Sequence, residues 1–134
     1  MKQCITIEVA EYTSHLIYNN QAMFDLRDMF PDEKDPMEAM SGDTKEHYDA
    51  TLKIFENLAQ QGELVRRYYG YPPEKEQDIE KIRKIADPGD WVNIKNAIYS
   101  AVVLGTQHHV EPIEDIDVTL LEFQQEKNGK SPCP

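Results

Sequence analysis

Ile5, Ile7 and Val9 alternate with Thr6, Glu8 and Ala10, the period of two that a strand with one buried face requires. His15 to Tyr18 form a second extended run after Glu11 to Ser14. Residues 3–18 are therefore predicted as a β-hairpin, with no glycine to favour a tight primed turn. The period then changes. Ala22, Met23, Leu26, Met29 and Phe30 fall on one helical stripe that Asn19 or Asn20 can cap and Pro31 stops, giving a helix over about 20–30. Between Pro31 and Asp43 stand two prolines, a glycine, five acidic residues and Lys34, with Met37 and Met40 as the large apolar members. That composition reads as a mobile loop.

Tyr48, Leu52, Phe55, Leu58 and Ala59 repeat at helical spacing, and the stripe runs on through Gly62 to Leu64, Val65 and Tyr68 before Gly70 and Pro72-Pro73. One long helix over about 43–69 is expected, at a cost of about 1 kcal/mol for the glycine relative to alanine. Pro73, Glu74 and Glu76 suit the first turn of a helix over 73–86 whose apolar edge is Ile79, Ile82, Ile85 and Ala86. Asp87-Pro88-Gly89-Asp90 is a turn with a cap built in, leading to a helix over 90–105 that ends at Gly105. Its broad stripe of Trp91, Ile94, Ile98 and Val102 is expected at the centre of the core, against Leu26, Leu52 and Phe55. A last helix is expected over 117–127, although the alternation of Ile116, Val118 and Leu120 equally allows a strand. The fold class is α+β, an N-terminal hairpin followed by four to five helices. One domain spans 1–127, and 128–134 is expected as a disordered tail.

Composition narrows what such a domain can do. The 134 residues carry 14 Lys and Arg against 25 Asp and Glu, a formal charge of −11. A generic phosphate-binding or nucleic-acid surface is not expected on such a chain, nor is a membrane span. Cys4 and Cys133 lie at opposite ends without metal-ligand spacing, so free thiols in a reducing cytoplasm are expected. His108-His109 with Glu111 is the group closest to a metal site. Adjacent positions on a helix diverge by about 100°, whereas a helical zinc pair stands four residues apart, so no metal is expected there. His15 and His47 have no local partner. There is no phosphate-binding glycine motif and no serine in a nucleophile elbow, so no catalytic residue, no cofactor and no enzyme activity are expected. Arg66-Arg67 before Tyr68 reads as a helix end whose arginines complement the C-terminal dipole while Tyr68 packs inward.

The segment from Glu111 to Glu126 carries six carboxylates, no Lys or Arg, and a set of aliphatics with Phe123. Together with the Met37 and Met40 loop it gives the candidate partner-binding residues: Met37, Met40, Ile116, Leu120 and Phe123. Methionine surfaces re-pack on varied partners, and an acidic amphipathic segment can dock on a helix.

The strand Ile5 to Val9, the segment Leu16-Ile-Tyr-Asn-Asn-Gln-Ala-Met-Phe-Asp-Leu26, the run Gln61-Gly-Glu-Leu-Val-Arg-Arg-Tyr68 and the stretch Asp117 to Gln124 resemble the tail assembly chaperones of long-tailed phages and prophages of Gram-positive bacteria. The likeness covers most of residues 3–126, and the chain departs from it at Ala10 to Ser14, where a glycine-containing turn is replaced. It implies a non-catalytic protein of the bacterial host cytoplasm that coats the aggregation-prone tape measure protein. The major tail tube protein would be a second partner, and self-association is compatible with the likeness. The alternative from charge alone is an acidic regulator or inhibitor that mimics nucleic acid and binds a basic partner.

Overall fold

The computed structural model describes residues 4–107. Strands β1 (Ile5–Val9) and β2 (Tyr12–Leu16) pair antiparallel, with Ile5 opposite Leu16 and Val9 opposite Tyr12. The turn is two residues long, so β2 begins at Tyr12 and not at His15. Ala10 and Glu11 take φ of 50° and 71°, the two positive values that a type I′ turn demands. The chain makes the tight primed turn without the glycine that normally eases it.

Helix α1 (Asn20–Met29) starts where Asn19 accepts from the Ala22 amide at 2.9 Å. Pro36–Met40 is a short 3₁₀ helix, which corrects the expectation of a mobile loop there. Asp35 caps it by accepting from the Met37 amide, Pro36 opens it, and Met37 and Met40 stand three apart, the 3₁₀ repeat. Helix α2 (Lys45–Tyr68) is one continuous helix behind a capping box of Thr44 and His47. Helix α3 (Ile79–Ile85) is shorter than the expected 73–86, because Asp78 caps it and the residues before it are held in another conformation, described below. Helix α4 (Pro88–Thr106) opens on Asp87, whose side chain accepts from the Asp90 amide at 2.8 Å. The fold is α+β, a hairpin on a helical body of four α-helices among the described residues. The helix expected over 117–127 and the tail 128–134 lie outside them.

Leu26, Leu52, Phe55, Ile94 and Ile98 are fully buried together, as the stripes predict. Trp91 and Val102 sit at the margin instead. The Trp91 indole stands edge-on to Tyr48 at 5.2 Å and donates to the Thr51 hydroxyl at 3.3 Å, satisfying the one polar atom that full burial would have stranded. Cys4, packed with Ile17 and Val65, is buried and disulfide-bonded, which corrects the expectation of a free thiol.

Two glycines set how closely the hairpin docks. A Cβ on Gly62 would fall 1.7 Å from the His15 carbonyl oxygen, and one on Gly105 would fall 2.3 Å from that of Tyr18. Gly105 is therefore a point of contact inside α4 and not its terminator. Immediately beside Gly62, the Ile17 amide donates to the Leu58 carbonyl at 3.2 Å.

Gly62→Ala separates two effects of opposite sign. Helix propensity alone would stabilise the chain by about 1 kcal/mol, but the new methyl overlaps strand backbone that cannot yield as a side-chain tip does. Urea denaturation should show net destabilisation; a more stable variant would mean that β2 does not rest on this turn of α2. Replacing Ala10-Glu11 by Asn-Gly should act the other way, raising stability by about 1 kcal/mol because both residues relieve a left-handed backbone. The lost contact from Lys81 to Glu11, 3.4 Å in an exposed pair, subtracts little.

Candidate functional site

The end of β2, the C-terminal half of α2 and the segment 74–77 enclose a cleft of about 290 Å³. Ser14 and His15 line it from the strand, Ala59, Glu63 and Leu64 from the helix, and Glu74 and Gln77 from the segment opposite. Its geometry begins with Arg66. Leu52, Phe55, Ala59, Gly62 and Arg66 recur at helical spacing along the buried side of α2, so the arginine is carried into the interior and is 1% exposed. Burying a guanidinium is costly unless it is paired and hydrogen-bonded. Its Nη2 donates to the Pro72 carbonyl at 2.7 Å and lies 3.6 Å from Glu74, its Nε is 3.7 Å from Glu63, and the Tyr71 ring lies 5.3 Å away. The Glu63 carboxylate in turn accepts from the Glu74 amide at 3.0 Å. These bonds hold residues 71–74 against α2, which is why the helix expected from Pro73 does not form until Ile79.

His15 closes the other side. Its Nδ1 is 3.1 Å from the Thr6 hydroxyl and its Nε2 is 3.6 Å from Glu74. Burial, and next the Arg66 charge, push the imidazole below its ordinary value, against the pull of Glu74 and Glu63. The His15 Nε2, the Ser14 hydroxyl and the Gln77 amide nitrogen are buried at this cleft without a hydrogen-bond partner among the described residues. On its rim, Leu64 is 57% exposed, and Tyr68, one helical turn on, is 84% exposed with its ring edge-on to Tyr69 at 5.3 Å. Tyr68 does not pack inward, contrary to expectation. Arg66 occupies that side of the helix instead.

Of the expected partner-binding residues, Met37 and Met40 do not line this cleft. Met40 is fully buried and Met37 packs partly buried beside the core, so Met40 is a core residue and offers no surface to a partner. Its place three residues after Met37, behind an Asp-Pro cap, was the available signal. Ile116, Leu120 and Phe123, like His108 and His109, lie outside the described residues. His47 acts as a capping residue, with Nδ1 2.7 Å from the Thr44 hydroxyl. Among the described residues, no group of three or more His, Cys, Asp or Glu side chains is arranged to hold a metal ion, and no helix is long and apolar enough to cross a membrane. The cleft residues Ser14, His15, Glu63 and Glu74 were missed because they come from three separate parts of the chain, β2, α2 and the segment 74–77. Arg66 alone carried a signal, its place on the buried stripe.

The His15 environment predicts a pH dependence. Its folded pKa is lowered, so the fold prefers the neutral ring, and stability is complete above the unfolded value of about 6.5. As pH falls below that, the unfolded chain takes up a proton that the fold resists, and stability declines through the folded value. Asp25 and Glu46 add to the loss only at lower pH. Their carboxyls are held below the usual range, by Asn57 and then Gln21 in the first case and by the Glu46 backbone amide in the second. Thermal melts of His15→Gln should lose the slope that sets in as pH falls below about 6.5; an unchanged slope would assign it to other groups.

Comparison of the chain with family models, with curated proteins and with solved structures finds no match.

Proposed function

We propose that the protein is a non-catalytic tail assembly chaperone of a long-tailed phage or prophage, which binds the tape measure protein through apolar contacts and assists tail tube assembly. The supporting observation is the position of Leu64 and Tyr68. Both belong to the run Gln61 to Tyr68 that carries part of the family likeness, and both are exposed, Leu64 at the rim of the cleft and Tyr68 one helical turn beyond it. A helical client can lie across the exposed leucine and tyrosine, beside the mouth of a cavity of about 290 Å³. Aromatic side chains serve well as anchors of this kind. The net charge of −11 keeps such a chain soluble while it holds a hydrophobic partner. Ile116, Leu120 and Phe123 belong to the same proposal as a second apolar contact. The reading sets this work in the bacterial host cytoplasm.

The test is a pull-down of a tape measure fragment at low and high salt, with wild type and with Leu64→Ser/Tyr68→Ser. Both residues are exposed, so the double variant should fold. Apolar binding should survive salt, and should fall at least about tenfold in the variant. Binding that collapses once the Debye length shortens below about 8 Å, and that ignores these two side chains, would favour the acidic mimic of nucleic acid.

A further inference from the structure

Helix α4 differs from the rest of the surface. Charged residues make up 29% of the chain, yet every exposed residue of α4 is uncharged: past its first turn these are Val92, Asn93, Asn96, Tyr99, Ser100, Val103 and Thr106. The one cation in this stretch, Lys95, is drawn aside, with Nζ 3.3 Å from the Gly42 carbonyl and 5.0 Å from the Trp91 ring centre. Three large apolar side chains are open to solvent on this face, Val92 at 51%, Tyr99 at 40% and Val103 at 52%.

Their spacing is more specific than their exposure. Val92, Asn96, Tyr99, Val103 and Thr106 follow one another at intervals of 4, 3, 4 and 3, the a/d repeat by which one helix packs along another. The inner stripe of Ile94, Ala97, Ile98 and Ala101 is buried in the core, so this outer repeat is a second seam on the same helix. It is also self-complementary. A two-fold axis passing between Ala97 and Ile98, with the helices antiparallel, sets Val92 opposite Val103 of the second copy and Asn96 opposite Tyr99. The amide then meets a phenol hydroxyl, and the helix dipoles oppose.

Charge selects the occupant. Two chains of −11 repel each other, and they approach most cheaply along a face that carries no carboxylate. We infer that α4 pairs with α4 of a second copy of this chain through an antiparallel seam of Val92, Asn96, Tyr99 and Val103. The helix has 19 residues and is about 28 Å long, so the pairing buries less than about 1,200 Å², the size of a reversible interface. Polar Asn96 within the seam sets its register at some cost in affinity. The inference does not depend on the cleft or on its client.

Sedimentation velocity over a concentration series of the full chain tests it. Wild type should pass from monomer to dimer, and added salt should tighten the dimer by screening the like charges. Tyr99→Glu and Val103→Glu should each weaken it at least about tenfold while leaving circular dichroism and melting unchanged, since both side chains are exposed. The antiparallel register has its own check. Val92→Lys and Val103→Glu should each fail to dimerise alone and should pair when mixed, because the mixture sets lysine opposite glutamate in one layer and valine opposite valine in the other. A wild type that stays monomeric throughout, whatever lies on the seam instead, overturns the inference. So does a dimer indifferent to Tyr99→Glu and Val103→Glu, or a mixture that does not pair.

Discussion

The structure depends on how closely the strand leaving the hairpin approaches α2. A β-carbon at position 62 would stand 1.7 Å from the His15 carbonyl oxygen, so glycine is the residue that permits this contact. Two residues further, the Ile17 amide donates to the Leu58 carbonyl. A two-stranded hairpin is marginally stable alone, and here its outer edge is finished by a helix in place of a third strand. The same stretch of chain meets α4 at Gly105, so residues 15–18 lie against both long helices. Packing Leu16 and Ile17 into the interior, at 0% and 2% exposure, follows from that contact. Few apolar residues of the hairpin could be buried without it.

The polar cluster is the electrical consequence of the same approach. Moving β2 onto α2 takes His15 out of water beside a helix position that already carries Arg66 inward. An isolated guanidinium in that place would be prohibitive. The chain answers with Glu63 from the preceding turn and Glu74 from beyond the helix end, and bringing Glu74 to Arg66 requires that residues 71–74 return along α2. The cleft is the space left between that returning segment and the strand. Its wall is thus held by ion pairs and one carbonyl contact, whereas Leu64, at its rim, is apolar and exposed.

Where the sequence was legible, a single periodicity governed a single element. The stripes through Leu52, Phe55, Ile94 and Ile98 located α2, α4 and the centre of the core, because each needed only its own helix to be read correctly. Reading failed where two elements decide jointly. The residues 73–78 have the composition of a helix start, and local propensity favours it, but Arg66 claims the Pro72 carbonyl and Glu63 claims the Glu74 amide. Ala10-Glu11 lacks any turn signal, yet pairing Val9 with Tyr12 buries both against the core, which outweighs a backbone cost of about 1 to 2 kcal/mol per residue. The 3₁₀ helix at Pro36–Met40 is a different case. Its cap and its spacing were present in the chain, and acidic composition concealed them.

The cleft and the outer face of α4 differ in kind. The cleft is lined by β2, α2 and the segment 74–77, and no residue of α4 contributes to it. Occupying one therefore need not block the other. On the proposed function, a long client gains little from a single shallow site, because one or two contacts beside a cavity of about 290 Å³ cannot outweigh the cost of association by much. Pairing through α4 would give the client two clefts in one particle. Binding at the second would then be intramolecular, governed by an effective concentration and not by the bulk one. Weak sites linked in this way can hold an elongated helical protein and still release it stepwise when a better partner displaces them one at a time, as assembly of a tail would require.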